Sequence, residues 1–376
     1  MKKIIFITGT RADYGKIKNL INIIKNNKKF KVFIFITGMH LLKEYGFTYK
    51  IIKKDNKKNC NIFLFKNQDI GDTQDIIVSK TIVGFSSFIN KIKPDMTIIH
   101  GDRPESLGAV ISSSLQNILT AHIEGGEFSG NIDEHMRHAI SKLSHIHFVS
   151  NNVAKKILVR MGELPRTIFT VGSPDIDIMR SNILPDINQV KTRYQINYSD
   201  YAIVILHPVT TNIKNIESEA KLVLDSLVDS NLNYIVIYPN NDPGSKIILN
   251  IYRNFKKKNK KNFIFFESMR FEYFLTLLKF SRFIIGNSSA GVREAPFYGV
   301  PSINLGNRQY NRANLKSIKN LDFNKDQIIK TINKIKDKKY KSNFRFGKGD
   351  SANKILDILN KSNLWKTSIQ KYFFNN

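Results

Sequence analysis

Cysteine occurs once in the 376 residues, at Cys60. That excludes an internal disulfide and a cysteine cluster for a metal, and it predicts a cytoplasmic protein in a reducing compartment. Long hydrophobic runs are missing too. No apolar stretch approaches the ~20 residues that span a bilayer, so no membrane association is expected. The N-terminal MKKIIFITGTRADYG carries two lysines and a short apolar run. The run is too short for a signal-peptide core and no small-residue cleavage site follows, so it reads as a first β-strand. Acidic residues are scarce beside basic ones, 31 against 59, for a net charge of +28. Such a field attracts anions, but zinc-finger, helix-turn-helix, KH and RNP signatures are all lacking. The lysines lie scattered in text such as IIKNNKKF and FKKKNKKNF, as on solvated faces. Nucleic-acid binding is therefore not expected, and an anionic small substrate profits from the same field.

What the chain does have is a regular alternation of short β-branched runs with longer helical segments. Residues 3–8, 32–37, 96–100, 119–123 and 146–150 read as strands apolar on both faces, as in a covered parallel sheet. Segments 14–27 and 83–92 read as helices, and 168–179 as the last strand of this half with the start of a connection. Residues 181–199 are polar, carry a proline and read as a linker. A second series follows, with strands at 201–210, 234–240, 262–267, 282–288 and finally 301–306. Helices are expected at 216–228, 325–338 and 352–361. The pattern predicts an α/β protein with two Rossmann-like domains, 1–180 and 200–376, the final helices being candidates to pack back on the first. Two such halves place the carboxyl ends of two sheets across a cleft, where ligands bind.

Polar residues gather where the strands end. HIEGGEFSGNIDEHMRH (122–138) holds four acidic residues, three histidines and an arginine between glycine turns. A surface loop has no use for so many titratable groups, whereas a site that moves protons does. GTRADYG (9–15) is not the dinucleotide GxGxxG, so no nucleotide cofactor is expected. Arg11 there can face an anion near a helix N-terminus, or Asp13 can simply cap that helix. Asp102 of HGDRPES (100–106) has the same two readings. Three successive strand ends presenting Arg11, Asp102 and Glu124 are harder to explain as caps. Asp133 and Glu134 fall in the first turn of the next helix, with Arg137 and His138 one turn on. His135 and His138 lack a third ligand at a recognised spacing, so no metal site is expected. His145 and His147 read as structural.

In the second half His207 ends a strand and Asn240 another. The stretch GNSSAGVREAPFYGVPSINLGNRQ (286–309) turns a strand into a helix through Gly286, Asn287, Ser288 and Ser289. Hydroxyls and backbone N–H groups at a helix N-terminus make a phosphate cradle, although paired serines there are often only caps. Glu294 falls two turns along, in reach of a ribose diol, with Arg293 and Arg308 nearby.

Taken together, TGTRADYG, HGDR, HIEGGE, SGNIDEHMRHAISKLSH, HPVT, YPNND and GNSSAGVREA resemble the hydrolysing UDP-N-acetylglucosamine 2-epimerases of sialic acid biosynthesis. The resemblance runs from the first strand to about residue 312. It implies a GT-B-like fold and a nucleotide-sugar substrate. The implied reaction is anti elimination of UDP to 2-acetamidoglucal, then hydration to N-acetylmannosamine. It further implies Asp102, Glu124 and Asp133 as the acid/base set, with Glu127 and Glu134 as lesser substitutes. Arg11 and His207 would stabilise phosphate charge as UDP departs. Arg11, Ser288, Ser289, Glu294 and Arg308 would hold UDP, with Asn240 a weaker candidate. A related branch acts on UDP- or GDP-linked 2,4-diacetamido-2,4,6-trideoxy sugars towards legionaminic acid, and the motifs do not separate the two. The non-hydrolysing epimerases carry an HxEAG pattern that HIEGGE departs from, and a GT-B glycosyltransferase would not need the three carboxylates. The resemblance also suggests a homodimer or homotetramer.

Overall fold

Side chains alternate across each strand, and in this chain both sets are apolar. In β1 (Lys2–Thr8), Ile4 and Phe6 join one buried cluster while Ile5 and Ile7 join another. Such a strand must be covered on both faces, which forces helices onto each side of the sheet. The computed structural model describes residues 1–130, 132–258 and 261–374. The chain divides into two units. Met1–Glu127, Asp133–Asn182 and Arg345–Asn376 form the first, and Phe128–Ile132 with Ile183–Phe344 the second.

The strands of the first unit continue with β2 (Phe30–Ile36), β3 (Cys60–Leu64), β4 (Met96–His100), β5 (Leu119–Ile123), β6 (Ile146–Val149) and β7 (Ile168–Thr170). Its helices are α1 (Arg11–Lys25), α2 (Tyr49–Asp55), α3 (Gln74–Ile92), α4 (Pro104–Leu115), α5 (Ile132–Leu143), α6 (Asn152–Arg160) and α7 (Pro174–Arg180). All strand pairs are parallel, in the order β3-β2-β1-β4-β5-β6-β7. One face is covered by Ile17, Leu20 and Ile24 of α1, the other by Phe85, Phe88 and Ile89 of α3. Each fully buried side chain of this kind contributes roughly 1.5–3 kcal/mol.

The second unit begins with α8 (Ile187–Tyr194) and β8 (Ala202–Ile205), followed by α9 (Ile216–Asp229), β9 (Tyr234–Ile237) and α10 (Ser245–Lys258). Then come β10 (Phe263–Phe266), α11 (Phe271–Phe280), β11 (Ile284–Gly286), α12 (Glu294–Phe297), β12 (Ser302–Leu305), β13 (Ile318–Leu321) and α13 (Lys325–Ile335). The parallel order is β10-β9-β8-β11-β12-β13. The last helix, α14 (Ser351–Leu359), returns to the first unit, where Ala352, Ile355 and Leu359 enter the cluster under α1. Its N-terminus is capped by Asp177, whose two carboxylate oxygens accept from Ser351 N at 2.8 Å and Ala352 N at 2.7 Å.

Some elements depart from expectation. Residues 301–306 are not the last strand, because β13 follows at the edge of the second sheet, and β3 forms an unexpected edge of the first. The run from residue 201 leaves the sheet at Ile205, before Pro208. Residues 181–199 contain α8, whose Asp186 and Gln189 make a reciprocal capping box. Among the described residues no helix is long and apolar enough to cross a membrane.

Candidate active site

In both sheets the strand order reverses between the first strand and its neighbour, at β1/β4 and at β8/β11. Chains leave such a point in opposite directions, opening a crevice at the strands' carboxyl ends. The polar residues of the sequence motifs collect there.

In the first unit β1 ends at Thr8, and Thr10 caps α1 by accepting from Asp13 N. Asp13 is therefore not the cap. Its Oδ2 accepts from Gly9 N at 3.3 Å, and its Oδ1 lies 2.8 Å from Nδ1 of His100, the last residue of β4. His100 Nε2 in turn lies 3.3 Å from Glu124 Oε1. All three side chains are buried. Burial opposes a charge on His100, but the facing Glu124 carboxylate and the bond to Asp13 outweigh it and raise its pKa to about 10. Glu124 also accepts from Ser173 Oγ at 2.5 Å, and its backbone takes a left-handed φ of 71°. A non-glycine residue rarely adopts that conformation, so surrounding contacts must hold it.

Asp102 does not cap α4, whose N-cap is Arg103. Its Oδ2 is paired with Nη2 of Arg137, while Nη1 of Arg137 donates to Glu127 O at 2.8 Å. Arg137 is 1% exposed, and the charges of Asp102, Glu127 and Asp133 all bear on it. The guanidinium thus bonds one motif carboxylate, Asp102, and interacts by charge with two more. Asp133 sits in the first turn of α5, as its sequence position requires. Glu127 accepts from Ser150 Oγ at 2.8 Å and is buried. Glu134 pairs with His138 at 3.6 Å, one turn along the same helix. Arg11 is the first residue of α1, and its charge reaches buried His40.

His122, His145 and His147, in and just after the segment, serve the fold. His122 Nε2 donates to Gly101 O at 2.8 Å, so Nδ1 accepts from Ser141 Oγ at 2.9 Å. Burial pushes its pKa down to about 3, which leaves a neutral brace for the loop that carries Asp102. His145 bonds Thr120 N and Ile369 O, and His147 bonds Glu163.

In the second unit His207 follows β8 and Asn287 follows β11. Asn287 Oδ1 accepts from His207 N at 2.7 Å and Nδ2 donates to His207 O at 2.8 Å. Asn240 N donates to His207 Nδ1 at 3.2 Å, so a neutral ring carries its proton on Nε2. Asn240 therefore acts here through its backbone. Arg308 Nη1 and Gln309 Nε2 both donate to Asn287 O, at 3.2 and 3.3 Å. Gly130 of the SGNID motif joins this unit, its N–H donating to Arg308 O at 3.1 Å.

The expected strand-to-helix turn at Ser288 takes another form. Ser288 caps a single 3₁₀ turn, Ser289–Gly291, and α12 is only one turn long. Pro296 has no N–H to give and fits only such a first turn. The N–H groups of residues 290 to 293 bond within the turn, to Ser288 and Ser289. Polar groups here are thus the two serine side chains beside buried Arg293, Glu294 and Arg308, rather than an open helix end. Gly286 sets the approach. Its φ is +134°, and a Cβ there would lie 1.9 Å from Ile205 O.

The structure thus brings Asp102, Glu124 and Asp133 into one unit, with Arg11 on the helix that carries Asp13. His207, Asn240, Ser288, Ser289, Glu294 and Arg308 belong to the other. His100, Ser173 and the role of Asp13 were not anticipated. The signal available was His100 itself, one residue before the glycine of HGDR at a strand end.

A family model described as UDP-N-acetylglucosamine 2-epimerase matches residues 22–360. A UDP-N-acetylglucosamine 2-epimerase of Neisseria meningitidis serogroup B is 43% identical, across 100% of this chain and 99% of the relative. A GDP/UDP-N,N'-diacetylbacillosamine 2-epimerase (hydrolyzing) of Campylobacter jejuni is 34% identical, across 91% of this chain and 89% of the relative. Among solved structures, the UDP-GlcNAc 2-epimerase of Methanocaldococcus jannaschii in complex with UDP-GlcNAc and UDP superposes with a TM-score of 0.78. It covers 96% of this chain and 99% of its own at 23% identity, a likeness of fold. The expected fold class, two Rossmann-like α/β domains of the GT-B-like type, is the one observed. With the family model spanning most of the chain and a relative matching it end to end, the protein belongs to the UDP-N-acetylglucosamine 2-epimerase family.

Proposed function

We propose that the protein is a hydrolysing UDP-N-acetylglucosamine 2-epimerase, releasing UDP and N-acetylmannosamine for nonulosonic (sialic) acid synthesis. The observation that carries the reading is the pair of braced carboxylates after neighbouring strands, Asp102 on Arg137 and Glu124 on His100. The C2 proton of the substrate has no adjacent carbonyl to acidify it. Its removal must be coupled to departure of a stabilised leaving group, which calls for a base and an anion site together.

In the first step a carboxylate of the set Asp102, Glu124 and Asp133 takes the C2 proton. The C–H electron pair forms the C1=C2 bond of 2-acetamidoglucal, and the C1–O pair leaves with the β-phosphate. In the second, water gives its hydroxyl to C1, and a proton returns to C2 from the opposite face. Two faces require more than one acid/base group, which is why the motif is so rich in carboxylates. Arg11 and the Nε2–H of His207 stabilise the departing charge, while Ser288, Ser289, Glu294 and Arg308 hold UDP. Support for hydrolysis over return of UDP comes from HIEGGE in place of HxEAG, and from the hydrolysing relative of C. jejuni.

A proton NMR time course in D2O with UDP-N-acetylglucosamine tests this. Free N-acetylmannosamine deuterated at C2, appearing with UDP, is the expected outcome; UDP-N-acetylmannosamine would make the enzyme non-hydrolysing. The diacetylbacillosamine relative favours a second reading, the same chemistry on a UDP- or GDP-linked 2,4-diacetamido-2,4,6-trideoxyglucose. Turnover of that sugar alone would select it.

A further inference from the structure

We propose that His100 is a positioning residue of the reaction, bridging Asp13 to Glu124 across the switch point of the first sheet and fixing how Glu124 is presented. The inference rests on the proposed role of Glu124 as an acid/base group. Asp13 comes from the helix after β1, His100 ends β4 and Glu124 follows β5, so three neighbouring strands meet in one line. Each member is fixed on its far side. Asp13 accepts from Gly9 N, His100 O accepts from Ser106 Oγ at 3.0 Å, and Glu124 accepts from Ser173 Oγ.

The geometry defines the protons. A carboxylate stands at each ring nitrogen, so both carry protons: Nδ1–H donates to Asp13 at 2.8 Å, and Nε2–H lies 3.3 Å from Glu124 Oε1, a charge contact outside hydrogen-bond geometry. An imidazolium between two carboxylates is neutralised on both sides, so its burial at 6% exposure is tolerable. The charged groups bearing on it are Asp13 from α1 and Glu124 beyond β5, and its own charge is felt in turn by the titratable ring of His122 on β5. In return the imidazolium favours the ionised form of Glu124. Its charge and the Ser173 Oγ bond together draw Glu124 Oε1 to one side, on a backbone that is in a left-handed conformation. Glu124 is then poised to accept a proton, and His100 serves through it rather than by touching the sugar.

The coupling is reciprocal: whatever Glu124 does to the proton affinity of His100, His100 does to that of Glu124. This makes the bridge testable without turnover. The full chain labelled with ¹⁵N-histidine has eight histidines, and loss of one signal in His100→Gln assigns the residue. The expected result is an imidazolium with both nitrogens protonated at pH 8.5. Glu124→Gln and Asp13→Asn should each lower its midpoint by roughly 1–3 pH units. A neutral His100 at pH 8.5, or a midpoint unmoved by Glu124→Gln, overturns the proposal.

The pH profile of kcat/KM supplies the second readout. His100→Gln keeps a donor for Glu124 but removes the charge, so the acid limb should move up by about one unit or more, with KM little changed. A lower rate on an unshifted profile would make His100 merely structural and also overturn the proposal. Absence of turnover on every nucleotide sugar would instead sink the proposed function, and the NMR midpoints would still decide the bridge.

Discussion

Asn287 grips both backbone groups of His207, accepting its N–H at 2.7 Å and donating to its carbonyl at 2.8 Å. The two residues follow β8 and β11, so this clamp crosses the switch point of the second sheet as the Asp13–His100 contact crosses that of the first. In each unit a side chain thus bonds across the crevice that a Rossmann order opens. Asn287→Leu removes both bonds to buried backbone groups, at a cost of about 1–3 kcal/mol each. The expected outcome is a lower urea midpoint and a rise in KM for the nucleotide sugar as His207 drifts. Asn287→Asp retains the acceptor and should recover roughly half the stability loss at most.

Arg137 offers a second test. Its guanidinium is buried beside Asp102 and also bonds the carbonyl of Glu127. Arg137→Met would leave Asp102 charged beside a hydrophobic side chain. Breaking one partner of a buried pair costs about 3–5 kcal/mol, and Asp102 at 23% side-chain exposure should bring the figure to the lower end. Arg137→Lys preserves charge without the two-pronged geometry and should rescue stability more than kcat. Equal recovery of both would show that the guanidinium contributes charge alone.

Strands such as β1, with an uninterrupted apolar run from Ile4 to Ile7, and β5, buried throughout, could be read from sequence. The edge strands β3 and β13 escaped because polar residues interrupt their short apolar runs, unlike FIFF of edge strand β10. CNIFL has exposed Asn61 and Phe63, and IKNL exposes Asn320. The motif positions were legible because strand ends collect function in parallel sheets. Their partners were not. Asp13 meets His100 across 87 residues, Glu124 meets Ser173 across 49, and Asp102 meets Arg137 across 35. Local periodicity carries no record of such pairings. The turn after Ser288 was misread for a local reason, since Gly291 and Pro296 shorten what the hydroxyls alone advertise as a helix start.

The bridge at His100 also makes a prediction for stability. An unfolded imidazole titrates near 6.5, while His100 in the folded protein holds its proton to about 10. A raised pKa contributes stability that is complete below the unfolded value and lost as pH rises through the folded one. Relative to His100→Gln, the wild-type protein should therefore be more stable at pH 6 and lose that advantage between pH 6.5 and about 10. Urea melts of both proteins across that window measure the difference. A gap that stays constant or widens towards pH 10 would contradict a charged His100.

The last test concerns the C-terminal segment, for which the sequence offered no role. Lys371 reaches the end of α5, donating to the carbonyls of Ser141, Lys142 and Ser144 at 3.1, 2.6 and 2.6 Å. It also pairs with Glu163 at 2.7 Å, and Glu163 holds Lys142 at 2.8 Å and His147 at 3.0 Å. A cation on the last carbonyls of a helix satisfies both their lone pairs and the helix dipole. Since α5 carries Asp133 and Arg137, the tail anchors the far end of the helix that bears one of the proposed acid/base residues. Lys371→Met should cost roughly 1–3 kcal/mol, less than breaking an isolated buried pair because Lys142 still pairs with Glu163 and His147 still hydrogen-bonds it. Burial alone would raise the Glu163 carboxyl, but His147 and the two lysines bring it down to about 2. A depressed pKa gives stability above the unfolded value of 4.5 that is lost as pH falls through the folded one. The wild-type advantage over Lys371→Met should accordingly persist at pH 5 and shrink towards pH 2. An advantage that survives undiminished at pH 2 would assign the effect to the carbonyl bonds alone, with no share from Glu163.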